Sequence, residues 1–130
     1  MKSIVLILRA LISVLGICLV ALGILFWTGH ALSLLQLHMM LGGLLVLTLW
    51  GLTVLGLRTR GTRPLALVVL IWSLIVPALG VEQLQLLPGS DHWIIQAAHL
   101  LVGIIAMGLG HSLARGLGRA AVAAAVPQSA

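Results

Sequence analysis

The chain has 130 residues, of which 62% are hydrophobic and 7% charged, with a formal net charge of +5. A soluble domain carries about 25% charged residues, and one this small could not bury so much apolar surface in a single core. The composition therefore excludes an ordinary soluble domain and points to a chain whose outer face is solvated by lipid.

A helix that crosses the hydrocarbon core takes about 20 apolar residues, and four runs meet that length: residues 10–28, 32–57, 65–87 and 92–114. The first follows Lys2 and Arg9. It is longer than the apolar core of a signal peptide, and no A-x-A cleavage pattern follows it, so it is expected to remain as a helix. Cys18 lies inside it and is the one cysteine. That removes any intrachain disulfide or thiolate cluster and leaves a small packing residue. Gly29 closes the run.

The second run ends at Arg58, and the segment through Arg60, Gly61 and Arg63 separates it from the third. Pro64 falls where a first helical turn accepts proline. Pro77 lies within the third run and is expected to kink it, freeing the carbonyl of Ser73. Pro88-Gly89 is a turn pair, and Ser90 or Asp91 can cap the fourth helix. Residues 1–119 thus form one transmembrane domain, and residues 120–130 are expected to be a loosely held tail.

The connections are short, so the fold class is an all-α four-helix transmembrane bundle running up-down-up-down. All seven basic residues fall at one side, and the two acids, Glu82 and Asp91, fall at the other. The positive-inside rule puts the basic side, and with it both termini, in the cytoplasm. The basic charge is thereby a topology signal and implies no nucleic acid. Trp27 and Trp93 fit the opposite interface.

Five histidines are present: His30, His38, His92, His99 and His111. Ionisable residues inside spans are rare and commonly functional, and neutral imidazole is a good metal ligand. His38 and His99 lie about 9 and 10.5 Å into the second and fourth runs. Both runs start at the same surface, so the two imidazoles share one depth. Each is followed four residues later by a glycine, Gly42 and Gly103, on the same helix face. A glycine there leaves a flat gap for a porphyrin or another helix. Gln36 and Gln96 precede the two histidines, which suggests a weak parallel repeat of helix pairs. Bundle cores are where haem sites are built. Each histidine alone could equally be a polar residue hydrogen-bonded between helices.

Two imidazoles make a poor zinc site, which wants three or four protein ligands. His92 lies two turns nearer the surface than His99, on nearly the same face, at the level of a haem propionate or a quinone headgroup. His30 and His111 are expected to be interfacial. His111 has no histidine at its depth on the second helix, where Trp50 and Thr53 stand.

The segments LHMMLGGLLVLTLWG, IWSLIVPALGVEQLQLLPGSDHW and QAAHLLVGIIAMGLGHSLAR resemble one four-helix half of haem A synthase and, more loosely, the bacterial four-helix b-type cytochromes. The resemblance spans residues 32–115 and implies one b-type haem held by His38 and His99 in a bacterial plasma membrane. The first outer loop carries neither the acidic nor the cysteine residues of the synthase, and a second histidine pair is missing. The expected function is a small haem protein that passes electrons to a quinone or a larger redox complex. The alternatives are a cofactor-free accessory subunit or a small transporter. Proton-coupled exporters of this size rely on a membrane carboxylate, and the one acid within a predicted span, Glu82, lies at the outer end of the third. No nucleophile–base pair or phosphate loop supports hydrolysis or group transfer. Gly16 and Gly23 share a face of the first helix and could serve a homo-oligomer or packing within the bundle.

Overall fold

A computed structural model describes residues 2–83 and 85–125. It contains four helices: α1 (Lys2–Trp27), α2 (Leu35–Arg58), α3 (Arg63–Glu82) and α4 (His92–Ala123), with a single 3-10 turn, Leu32–Leu34, leading into α2. No strand occurs among the described residues. All four helices are long and apolar enough to cross a membrane. The shortest, α3, has 20 residues, which at 1.5 Å per residue matches a hydrocarbon core of about 30 Å.

Large apolar side chains point outward on every helix, including Ile7, Leu47, Ile71 and Leu101, each about 60% exposed. A water-soluble bundle confines such residues to one stripe of each helix, whereas here lipid solvates the outer face. The fold is therefore that of a multi-pass membrane bundle.

The helices form a ring in which each packs on its sequence neighbours and α4 closes against α1. The ring is a rhombus with a short diagonal: α2 touches α4, while α1 and α3 do not meet among the described residues. Ile12, Leu49, Leu52, Val69, Leu113 and Leu117 are almost wholly buried and build the core.

This core occupies only the end of the bundle that carries the basic residues. Between residues 17 and 44, and among the described residues between 74 and 105, no side chain is fully buried. Toward the acidic end the side chains are at most partly buried. Side-chain hydrogen bonds tie the helices together. Trp50 Nε1 donates to Ser73 Oγ (3.0 Å), Trp72 Nε1 donates to the Val102 carbonyl (2.9 Å), and Ser13 Oγ lies 3.3 Å from His111 Nε2. Ser73, fully buried, passes its own proton to the Leu70 carbonyl.

The connections follow from local chemistry. Gly61 adopts φ +86°, a left-handed conformation open to glycine at no steric cost. The chain then turns so that Thr62 Oγ1 donates to the Gly56 (2.8 Å) and Thr59 (3.0 Å) carbonyls, and Arg63 Nε to the Leu57 carbonyl (3.0 Å). These bonds satisfy carbonyls that the end of α2 leaves without helical donors.

Several boundaries differ from the sequence expectation. The third helix stops at Glu82 rather than running to Leu87. Leu87 precedes Pro88, whose ring disfavours helical backbone at that position, and it takes φ +45°. Pro64 does sit in the first turn of α3, and Pro77 lies inside that helix. The fourth helix continues past residue 114 to Ala123. Ala120–Ala123 therefore belong to the helix and not to a loose tail, in keeping with the helix propensity of alanine. Residues 126–130 of the expected tail lie outside the described residues. Asp91 precedes α4 but makes no side-chain cap bond, and Ser90 Oγ instead reaches Asp91 Oδ1 at 3.5 Å.

Candidate functional site

His38 is the fourth residue of α2 and His99 the eighth of α4. The helices are antiparallel to their neighbours and hence parallel to each other, so both histidines fall near the acidic end, as the sequence argument required. The short α2–α4 diagonal brings the two rings together. Their centroids are 6.4 Å apart with the planes inclined at 49°.

The other two helices complete the surroundings. Phe26 of α1 sets its edge toward the His38 ring at 5.4 Å. On α3, Gly80 makes room for His99: a Cβ at that position would lie 2.9 Å from His99 Cε1. Each helix thus contributes one residue to this level of the bundle. Neither Phe26 nor Gly80 follows from the sequence. Phe26 is the only phenylalanine in the chain, and Gly80 stands one turn beyond Pro77, but their neighbours depend on how the helices are rotated about their axes.

Both Nδ1 atoms, of His38 and of His99, are buried with no hydrogen-bond partner. A buried polar atom left unpaired costs about 1–3 kcal/mol, and such an atom in a folded protein calls for an explanation. The reading of these residues as interhelical hydrogen-bonded spacers finds no bond to support it among the described residues. That role falls to Trp50, Trp72 and the Ser13–His111 pair.

Gly42 and Gly103 were expected to admit a porphyrin or another helix. No helix packs there: a Cβ at either glycine would have no heavy atom within 4 Å. The faces below both histidines are open.

The other histidines stand apart from the pair. His92 Nδ1 lies 3.3 Å from the Leu86 carbonyl, which ties the start of α4 to the preceding turn. His30 Nδ1 contacts Thr28 Oγ1 at 3.1 Å in the α1–α2 connection. His111 belongs to the basic half. Among the described residues, no three His, Cys, Asp or Glu side chains gather into a group that could hold a metal ion by themselves.

The fold and these side chains define a small multi-pass four-helix bundle with a paired-imidazole layer near one end. No known protein family, no curated protein and no solved structure matches the chain, so the layer is assessed on its own chemistry.

Proposed function

We propose that the protein is a membrane b-type haem protein in which His38 and His99 hold one haem by its iron, with the basic end and both termini in the cytoplasm. The observation that carries this reading is the pair itself. Neutral imidazole is a good metal ligand, and two brought together from parallel helices could both bind one haem iron. The two ring centroids are 6.4 Å apart.

The donor set favours haem over a bare ion. Two protein ligands leave a zinc ion short, whereas a porphyrin supplies most of its iron's ligands and would need only these two histidines from the protein. The open faces at Gly42 and Gly103, one turn along each helix from the histidines, support the reading. Haem bound here would supply one-electron redox chemistry, exchanged with a quinone or with a larger complex in the membrane. The chain's own residues would set the environment: His38 and His99 would hold the iron, Phe26 would screen His38 with an apolar ring, and Gly80 would leave the space in which His99 is seated. His92, two turns toward the surface from His99, would serve propionates at the interface.

The visible spectrum of the purified protein tests the reading. A reducible Soret band is expected, and His38→Ala and His99→Ala should each abolish it. A folded, colourless protein after haem reconstitution, or an unchanged spectrum in both variants, would refute it.

A further inference from the structure

The basic end has a second feature that a haem site does not use. Two concavities lie along the groove between α1 and α4. The larger, about 700 Å³, is walled by apolar residues such as Val5, Leu117 and Val122 and includes Lys2, Arg9, Arg115 and Arg119 in its lining. All four cations are exposed. The two acidic side chains of the chain, Glu82 and Asp91, are at the opposite end, so neither neutralises this cluster. The smaller concavity, about 350 Å³, lies farther along the same helix pair, beyond the Ser13–His111 contact, and is lined by Gly16, Ile17, Val20, Ala21, Ile24 and Met107. Its floor is the close packing of Gly16 against Met107.

An apolar-walled basin with four cations, and a purely apolar concavity deeper along the same helix pair, match the two parts of one molecule. We propose that the α1–α4 face holds a single anionic diacyl phospholipid, its phosphate among Lys2, Arg9, Arg115 and Arg119 and one acyl chain passing over Ser13 to lie against Gly16 and Ile17. Basic pockets between transmembrane helices recognise anionic headgroups in this way. The depths agree. Gly16 and Ile17, at the near end of the second concavity, lie about 10–12 Å along α1 from Arg9, within the roughly 15 Å depth of one leaflet of the hydrocarbon core. An acyl chain descending from the cations therefore reaches the second concavity. A free phosphate would use the cations alone and would leave the apolar groove without a role.

Native mass spectrometry of the detergent-purified protein, incubated with phosphatidylglycerol or phosphatidylcholine, tests this. One phosphatidylglycerol per chain should be retained, at least tenfold in preference to phosphatidylcholine. The double variant Arg115→Gln/Arg119→Gln should lower that retention tenfold or more. Arg58→Gln/Arg60→Gln, which removes equal charge from the other basic loop, should leave it within twofold. Ile17→Trp should lower retention without touching a charge, and glycerol 1-phosphate should not displace the lipid. Equal retention of the two lipids would overturn the proposal. So would equal loss in the two arginine variants, which would mean diffuse surface charge, or displacement by glycerol phosphate, which would mean an anion site without a lipid groove.

Discussion

Replacing Gly80 with alanine separates the site from the fold. The new Cβ would stand 2.9 Å from His99 Cε1, against about 3.5 Å for an unstrained carbon contact. The imidazole must then retreat by roughly 0.6 Å or twist away from its preferred rotamer, at about 0.5–1.5 kcal/mol. Metal–ligand distances in good sites hold to about ±0.2 Å, so His99 would no longer reach its bond length without strain. Haem affinity should fall at least tenfold, or about 1.4 kcal/mol, measured by titrating the apoprotein with haem and following the Soret band. Net stability should change little, by about 0.5 kcal/mol or less, because alanine's advantage over glycine inside a helix, up to about 1 kcal/mol, offsets that strain. Gly108→Ala is the control: it lies in α4 with nothing within 4 Å of its Cβ, so it shares the propensity gain and should keep full haem affinity. Haem binding by Gly80→Ala within twofold of the parent would show that Gly80 does not seat His99. Equal losses in the two glycine variants would show the same.

Three further outcomes follow from the packing. Leu113→Ala removes a fully buried side chain from the basic-end core and should cost about 2–5 kcal/mol in reversible unfolding from mixed micelles. Leu101→Ala, at a position 58% exposed, should change stability by less than about 0.5 kcal/mol in the same assay. Ser73→Ala leaves Trp50 Nε1 without its acceptor. It should destabilise by about 0.6 kcal/mol, the usual size of an interhelical hydrogen bond in a membrane protein, and shift the tryptophan emission. A larger loss from Leu101→Ala than from Leu113→Ala would contradict the one-ended core.

The four spans, the connections and the segregation of charge were readable in the sequence because each rests on a local property: apolar run length, turn residues and the placement of arginine. Helix ends were less readable. Leu86 and Leu87 are as apolar as the span before them, and only the backbone restriction from Pro88 and the polar residues Glu82 and Gln83 explain why α3 has already stopped. The longer α4 has the opposite cause, since no proline follows Ala114 until Pro127 and alanines dominate the stretch from Ala120. The histidine pair was legible from topology, because depth is counted along the chain. Its surroundings were not. Whether Gly42 faces a helix or empty space, and whether Gly80 or another residue backs His99, depends on helix rotation, which a regular apolar pattern leaves undetermined in a lipid-facing bundle. The groove at Arg115 and Arg119 was hidden for a related reason. In sequence these residues mark orientation, and only the closing of α4 against α1 gathers them with Lys2 and Arg9.

A core confined to one end makes the bundle mechanically unequal along its length. The packed layer around Leu49 and Leu113 acts as a clamp on four rods whose far ends lack a buried core. His38 lies 11 residues from Leu49, a lever arm of about 16 Å. A change of about 4° in the tilt of α2 would move its imidazole by roughly 1 Å while hardly disturbing the clamp. Helices adjust tilt to the thickness of the surrounding bilayer at small cost, so a change of bilayer thickness should alter the distance between His38 and His99 more than any spacing within the clamp.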